Sequence, residues 1–371
     1  MQQKTESTIS LWGALIPIII LIILLSINVT IYKDDALGGS NQFILLIGAA
    51  VAALIGFRNK VSYDSMLDSI GSNLKSTTGA ILILLFVGAL AGTWLLSGII
   101  PAMIYYGLQI LHPSIFLPAC IIICAIISIA TGSSWTTSAT VGIALIGIGR
   151  ALDIPVGMVA GAVISGAYFG DKLSPLSDTT NLAPAMSGSN LFTHIKYMTH
   201  TTVPSIIITM IVFLILGFFQ NTSGAADTNI LLTAIKESFT INLWLFIVPI
   251  LVIFLIIKKT PPLAALLTGT LLGGLFALIF QPDIVAEIGG ADVLSTSIAY
   301  QGVMNAIISD INITTSNNLL NDLFSSGGME GMLGTIWLVI CAMVFGGIMD
   351  AIGGLKKLSN TLLSFAQSTF Q

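Results

Sequence analysis

The chain of 371 residues is 55% hydrophobic and only 8% charged, with a mean hydropathy of +0.98 and a formal net charge of −4. Soluble globular chains carry about 25% charged residues, so this composition excludes a water-soluble fold. The sequence contains no basic run that would bind nucleic acid. The uncharged segment 81–133 exceeds the roughly 20 apolar residues that cross a bilayer. The sequence therefore predicts an all-α polytopic membrane protein, with the lipid bilayer as its solvent.

Apolar segments follow one another along the chain. The first, 11–32, is too long for the apolar region of a signal peptide, and no small-residue cleavage site follows closely, so we interpret it as a retained span. The shorter segment 99–111 is predicted to lie in the interface or to re-enter the membrane. The predicted spans are 11–32, 42–57, 79–97, 116–149, 156–169, 203–219, 243–257, 262–280 and 334–348.

Three short patterns recur in the same order in both halves of the chain, which indicates an internal duplication. A pattern of Leu-Trp, four further residues and Pro-Ile begins at Leu11 and again at Leu243, and YDSMLDSI at 63–70 is echoed by YQGVMNAI at 300–307. The third pattern, Gly79, Ile81, Gly92 and Gly98, recurs as Gly334, Ile336, Gly347 and Gly353. The offset grows from 237 to 255 residues between the last two patterns, which predicts an insertion around 310–327.

The duplication predicts a first transmembrane repeat at 1–230 and a second at 231–371. The second repeat ends where its sequence corresponds to about residue 116 of the first. The segment 116–220 therefore has no counterpart, and we expect the second repeat to be truncated.

Loop charge predicts that the two repeats are inverted. Arg58, Lys60 and Lys75 lie between the second and third spans, which places that loop in the cytoplasm. The matching segment of the second repeat, 281–331, holds six acids and no Lys or Arg, so it is predicted to be a solvated external loop. Inverted repeats are a common architecture of secondary transporters.

A polar motif, TGSSWTTSAT, occupies 131–140 in the middle of an uncharged stretch. Gly132 weakens the helix, and seven Ser and Thr residues supply hydroxyl groups. A helix that unwinds within the membrane exposes carbonyl oxygens and a half-helix N-terminus, which bind ions or carboxylates. The alternative is a packing seam of small residues. Seven hydroxyl groups in ten residues favour a functional break.

A second motif, GDKLSPLSDTTNLAPAMS, occupies 170–187 and follows a Gly- and Ala-rich helix. Asp171, Lys172 and Asp178 are charges at predicted membrane depth, where ionisable residues are costly and mark ion paths. Two prolines prevent a continuous helix. The alternative is a cytoplasmic loop in which Asp171 and Lys172 form a solvated ion pair.

The same motif offers a dense run of oxygen ligands for a hard cation such as Na⁺. These ligands are Asp178, Thr179, Thr180 and Asn181. Desolvation raises the pKa of a carboxyl group, so an acid at membrane depth can exchange a proton for a cation. Competition between the two ions at one acid is a sufficient physical basis for antiport.

Other polar residues are weaker candidates. Asp350 ends a glycine-rich span and lies either in the same cavity or near the interface. His194 and His200 lie near a predicted membrane boundary, where a titrating side chain is more often without function than a pH sensor. The three cysteines fall in apolar segments and are interpreted as small buried hydrophobic residues.

At its two polar motifs the chain resembles the NhaC family of sodium/proton antiporters. TGSSWTTSATVGIALIGIG at 131–149 and GAYFGDKLSPLSDTTNLAPAMSG at 166–188 are similar to the most characteristic stretches of that family. The resemblance implies an inverted-repeat secondary transporter with broken helices and re-entrant segments in a prokaryotic inner membrane. It also implies exchange of external H⁺ for internal Na⁺, and no enzymatic activity.

The resemblance further implies the residues of the site for the transported Na⁺ and H⁺. They are Asp171, Ser174, Asp178, Thr179, Thr180 and Asn181, with Ser133 and Ser134 facing them. No resident metal or cofactor is expected. Thr136 departs from the family pattern, because many members are expected to carry glycine at this position.

Other functions remain as alternatives. The same family includes carriers that exchange malate for lactate with Na⁺ and H⁺, and Lys172 is a suitable counter-charge for a small carboxylate. A channel would need a continuous polar pore, whereas the polar residues cluster at two points. An intramembrane enzyme would need a base near Ser134, and the histidines lie near predicted interfaces. A homo-oligomer is a further alternative to a monomer.

Overall fold

Most of the described residues lie in helices. We describe a computed structural model, which covers residues 9–110, 113–175, 177, 180, 184, 189–219, 228–258, 260–315, 321 and 324–365. The helices of this part of the chain are α1 (Leu11–Tyr32), α2 (Ser40–Arg58), α3 (Tyr63–Leu96), α4 (Ile99–Ile110), α5 (Pro113–Thr131), α6 (Ser134–Thr137), α7 (Ile143–Ala151), α8 (Val156–Leu173), α9 (Leu191–Phe219), α10 (Thr228–Ser238), α11 (Ile247–Ile257), α12 (Pro262–Phe280), α13 (Pro282–Ile288), α14 (Thr296–Ile308), α15 (Leu333–Ala351) and α16 (Gly354–Phe365).

Shorter elements connect these helices. A π-helical turn, Ser138–Gly142, joins α6 to α7. Two antiparallel strands, β1 (Ile311–Asn312) and β2 (Ser325–Ser326), pair with Ile311 opposite Ser326. The 3₁₀ turns are Lys33–Gly38, Leu243–Phe246 and Glu330–Met332.

Seven helices within the described residues are long and apolar enough to cross a membrane. They are α1, α2, α3, Pro113–Ala130 of α5, α9, α12, and Glu330–Ala351, which contains α15. An eighth is formed if Ile230–Ser238 and Leu243–Ile257, which meet at a bend of 85°, are taken as one span. The prediction of an all-α polytopic membrane protein is confirmed.

Several predicted boundaries were wrong. Helix α3 begins at Tyr63, whereas the span was predicted from residue 79, because the polar residues before it continue the same helix. The predicted span 116–149 is interrupted after Thr131, within the polar motif for which unwinding was predicted. The segment 99–111 forms α4, whose Ile104 and Leu108 are buried against protein, and re-entry of this segment stays a prediction.

The segment 281–331 is not the simple solvated loop that its acids predicted. It contains α13, α14, β1 and β2, and the side chains of Val285, Ala306 and Phe324 are fully buried. Its apolar residues pack inward at helical spacing, whereas the acids among its described residues are exposed, so the charge content alone did not predict the helices.

The chain forms two compact units. Unit 1 consists of Met1–Leu84 and Met332–Gln371, and unit 2 consists of Leu85–Gly331. The units therefore differ from the predicted repeats 1–230 and 231–371, whose division stays a prediction.

Unit 1 is organised around α2, which packs on α1 and α15. Ala49 and Ala52 of α2 belong to a buried cluster that also includes Met66, Met349 and Ile352. A buried hydrogen bond of 2.8 Å from Asn28 Nδ2 to Asn41 Oδ1 joins α1 to α2. Small side chains thus allow close packing, and an amide pair fixes the register of the two helices.

Unit 2 contains a comparable contact between α3 and α12. The indole of Trp94 is buried, and its Nε1–H donates to the carbonyl oxygen of Gly269 at 3.2 Å. Gly273, one turn later, lies directly against Thr93 and Trp94. Glycines of α12 therefore admit the large indole ring at the helix interface.

Glycines predicted to be counterparts make similar contacts in the two units. Gly92 in unit 2 lies against the backbone of Ala306, where an added Cβ would overlap the carbonyl group. Gly347 in unit 1 lies against the backbone of Ile70, where an added Cβ would be 2.7 Å from Ile70 Cα. Ile70 is the predicted counterpart of Ile307, which follows Ala306 in the chain. The contacts are thus reciprocal between the predicted repeats.

Two further observations agree with the duplication. Gly98 and Gly353 are predicted counterparts, and both have left-handed φ angles, of +79° and +75°, immediately before α4 and α16. The predicted insertion 310–327 contains β1 and β2. The inverted orientation of the repeats stays a prediction.

We predict that Trp94→Phe destabilises the protein by about 1–3 kcal/mol, because it removes a buried hydrogen bond and leaves a void. The measurement is the thermal unfolding midpoint of purified protein in detergent, which should fall by several degrees. Trp244→Phe is the control, because Trp244 is 66% exposed. Equal midpoints for both variants would contradict the Trp94–Gly269 contact.

Candidate ion site

The first polar motif contains a break in the helix. Helix α5 ends at Thr131, and Gly132 has a left-handed φ of +70°, which a residue with a side chain adopts only with strain. Ser133 is extended, and its Oγ accepts a hydrogen bond of 3.2 Å from the backbone N–H of Thr136. A new helical segment, 134–151, starts at Ser134. The predicted unwinding is therefore located at Gly132 and Ser133.

Most of the described threonine hydroxyls near the break bond to helix backbone. Thr137 Oγ1 donates to the carbonyl oxygen of Ser133 at 2.9 Å, and Thr140 Oγ1 donates to that of Thr136 at 2.8 Å. Thr137 directly precedes the π-helical turn Ser138–Gly142 and Thr140 lies within it, and such turns are frequent at functional sites. Part of the hydroxyl content thus stabilises the irregular helix.

Helices α5 and α8 pack with their backbones in contact. An added Cβ at Gly170 would be 2.5 Å from the carbonyl oxygen of Ala125 and 2.6 Å from Ser128 Cβ. Gly166, one turn earlier, lies against the backbone of Ile121. Glycines four residues apart on one helix face permit this approach. The packing brings the end of α8 next to the end of α5, where the helix breaks.

Asp171 lies at this junction. It is in the last turn of α8 and is only 9% exposed. Its Oδ2 accepts a hydrogen bond of 3.1 Å from Ser134 Oγ, at the start of the segment 134–151. The positive end of a helix dipole stabilises a carboxylate placed at the helix N-terminus. The site therefore holds a buried acid beside a hydroxyl group and a helix N-terminus.

Ser174 and Thr180 stabilise the end of α8. Ser174 Oγ donates to the carbonyl oxygen of Ile129 at 2.7 Å. Thr180 Oγ1 lies 3.0 Å from the carbonyl oxygen of Asp171 and 3.3 Å from that of Lys172, and it can donate to either. The last carbonyl groups of a helix lack partners within the helix, and this hydroxyl provides one.

The structure brings four of the predicted site residues together, namely Ser134, Asp171, Ser174 and Thr180. The described side-chain bonds of Ser133 are to Thr136 within its own segment. The remaining predicted ligands, Asp178, Thr179 and Asn181, lie outside the described residues, and their role stays a prediction.

Two other charged candidates, Lys172 and Asp350, are exposed. Lys172 is exposed in the last turn of α8, where a cation interacts favourably with the helix dipole. Asp350 is exposed near the end of α15. Within the described residues, no group of three or more His, Cys, Asp or Glu side chains could hold a metal ion.

Sequence reasoning missed Ser128, which is fully buried and donates from Oγ to the carbonyl oxygen of Ala167 at 2.6 Å. A single serine in an apolar helix gives no signal of its partner. The spacing of Gly166 and Gly170 was the available signal that this face of α8 packs closely.

The fold and the site define a class of protein, a polytopic membrane protein with a buried acid at a helix break, as in secondary transporters. The model of the Na+/H+ antiporter family matches residues 166–371. The chain belongs to this family of transporters, and it is a multi-pass protein of the prokaryotic cytoplasmic membrane.

Curated relatives cover most of this chain. The malate-2H(+)/Na(+)-lactate antiporter of Bacillus subtilis is 39% identical, over 86% of this chain and 66% of its own length. The Na(+)/H(+) antiporter NhaC of Alkalihalophilus pseudofirmus is 37% identical, over 86% and 66%. The arginine/ornithine antiporter ArcD of Halobacterium salinarum is 32% identical, over 96% and 70%. This chain thus spans about two thirds of the length of these relatives. No solved structure gives a significant match.

We predict that Gly170→Ala disrupts the packing of α8 on α5, because the added methyl group would overlap the backbone of α5. Overpacking of this kind costs about 1–3 kcal/mol. Gly157→Ala on the same helix is the control, because nothing lies within 4 Å of its added Cβ. Thermal unfolding in detergent should show a lower midpoint for Gly170→Ala alone. An unchanged midpoint would contradict the close approach of the helices.

Proposed function

We propose that the chain is a secondary active transporter that exchanges Na⁺ for H⁺ across the cytoplasmic membrane. The observation that carries this proposal is the buried carboxylate of Asp171, which accepts a hydrogen bond from Ser134 at the helix break. An ionisable residue at such a position is expensive and typically functional. Membership of the Na+/H+ antiporter family supports the choice of ions.

The chemistry follows from what the two side chains can do. A carboxylate binds either a proton or a cation, so H⁺ and Na⁺ exclude each other at Asp171. The Ser134 hydroxyl donates to the ionised carboxylate, and its oxygen has lone pairs that can also bind a cation. Rotation of this hydroxyl therefore lets the pair accept Na⁺. Carboxylate and hydroxyl oxygens are suitable ligands for a hard cation.

Exchange requires that the site switches its access from one side of the membrane to the other only when H⁺ or Na⁺ is bound. The predicted inverted repeats provide a way to expose one site alternately to both sides. The break at Gly132 and Ser133 keeps irregular backbone at the site, which a membrane protein tolerates where it lines a cavity or is buried in protein. The predicted ligands Asp178, Thr179 and Asn181 would complete the Na⁺ shell.

The test is transport in everted vesicles from an antiporter-deficient bacterial strain that expresses this chain. Addition of Na⁺ should collapse the pH gradient, and Asp171→Asn should abolish this response, because the amide can bind neither a proton nor a cation as a carboxylate does. Asp153→Asn is the matched control, because Asp153 is exposed, and asparagine tolerates its left-handed φ of 58°. Full activity of Asp171→Asn would overturn the proposed site.

A second candidate is an organic-acid antiporter coupled to Na⁺ and H⁺. The relative from Bacillus subtilis carries such a name, and the relatives together show that this family includes more than one substrate class. Lys172, next to Asp171, is exposed, and its ammonium group could face a small carboxylate.

The same vesicle assay distinguishes the two candidate functions. Sodium/proton exchange predicts a response to Na⁺ alone, unchanged by malate or lactate and retained in Lys172→Gln. The organic-acid candidate predicts a response only when malate or lactate is present, with a large loss in Lys172→Gln. A response to Na⁺ alone that disappears in Lys172→Gln would contradict both assignments of this lysine.

A further inference from the structure

We propose that Ser128 is a positioning residue that holds the Asp171 carboxylate in register with Ser134. This inference rests on the proposed function and deepens it, because it names a residue that sets the affinity of the site for Na⁺. Ser128 donates a hydrogen bond to the backbone of α8. It acts through the backbone of α8.

Ser128 fixes the turn of α8 that precedes Asp171. Its Oγ donates to the carbonyl oxygen of Ala167 at 2.6 Å, four residues before Asp171. Its Cβ also faces Gly170, where an added methyl group would be 2.6 Å away. A buried hydrogen bond and a tight contact therefore join this serine to the residues directly before the acid.

A second serine fixes the turn that follows. Ser174 Oγ donates to the carbonyl oxygen of Ile129 at 2.7 Å, and Ile129 is the neighbour of Ser128 in α5. The two bonds run in opposite directions and lie on either side of Asp171. A rotation or sliding of α8 against α5 would therefore disturb both bonds. The serine pair, Ser128 and Ser174, thus restrains the acid from both sides.

The contact between Ser134 and Asp171, which the serine pair restrains, is easily lost. The bond from Ser134 Oγ to Asp171 Oδ2 is 3.1 Å, whereas hydroxyl–carboxylate bonds are commonly about 2.5–2.7 Å. A small displacement of α8 would separate the two groups. Because both groups are proposed ligands of Na⁺, loss of the restraint should weaken Na⁺ binding more than it slows the transport cycle.

The test is Ser128→Ala in the Na⁺/H⁺ exchange assay. A net hydrogen bond of this kind corresponds to a change of about 3- to 10-fold in an equilibrium constant. We expect the Na⁺ concentration for half-maximal exchange to rise by that factor, with the maximal rate changed less than about 2-fold. Ser128→Cys, which keeps a weak donor of similar size, should give an intermediate shift.

Ser165→Ala is the matched control. Ser165 is on α8, and its Oγ also donates to a carbonyl oxygen at 2.6 Å, but that carbonyl belongs to Gly161 of the same helix. Its removal takes away a hydroxyl bond without loosening α8 from α5. The half-saturating Na⁺ concentration should therefore stay within about 2-fold of that of the unmodified chain.

A double-mutant cycle separates positioning from a general loss of stability. If Ser128 acts through the Ser134–Asp171 contact, Ser128→Ala should shift the Na⁺ half-saturation much less when Ser134→Ala is already present. The shift is measured as equilibrium ²²Na⁺ binding to purified protein, so that slow transport does not prevent the comparison. An equal shift in both backgrounds would overturn the proposal.

Two other results would also overturn it. One is an unchanged half-saturation in Ser128→Ala, and the other is a loss of maximal rate and protein yield with no change in half-saturation. Both are distinct from failure of the proposed function, which is reported by Asp171→Asn. If Asp171→Asn is inactive and Ser128→Ala is unchanged, the acid carries the ion and Ser128 has only a structural role.

Discussion

The close approach of α5 and α8 is the constraint on which the rest of the site depends. With glycine at positions 166 and 170, the backbones of the two helices come into contact, and no larger residue fits there. This contact places the last turn of α8 beside the end of α5, where Gly132 interrupts the helix. A carboxylate in that turn therefore meets the first hydroxyl group of the next helical segment.

The hydrogen bonds around this contact have two different purposes. The hydroxyl groups of Thr137 and Thr140 donate to carbonyl oxygens of their own segment and so stabilise the irregular helix. The hydrogen bonds of Ser128, Ser134 and Ser174 cross from one helix to the other. In a low-dielectric environment each buried polar group needs a partner, so the same serines that stabilise the junction also determine where the acid can lie.

Much of this architecture could be predicted from the sequence, because its signals are local. The apolar segments predicted the membrane helices, and the concentration of Ser and Thr at 131–140 predicted the break. The buried acid was predicted from its position next to an apolar helix. Gly92 and Gly347, which the predicted repeat pairs with each other, both make close backbone contacts, although the repeat itself stays a prediction.

The other features depended on packing between helices, which no local sequence pattern predicts. The partner of Ser128 is 39 residues away in the chain, and the rotation of one helix against the other decides that they meet. The acids of 281–331 suggested a solvated loop, although the apolar residues between them were sufficient for α13 and α14 to pack. The π-helical turn at Ser138–Gly142 was likewise not predicted by any pattern in the sequence.

The central claim is that Asp171 holds the proton and Na⁺ in turn. Proton release on Na⁺ binding tests it most directly, measured with a pH-sensitive dye on purified protein in weakly buffered detergent solution. The account predicts that Na⁺ releases protons from the unmodified chain, that K⁺ does not, and that Asp171→Asn releases none. Binding of Na⁺ without proton release, or equal release from Asp171→Asn, would contradict it.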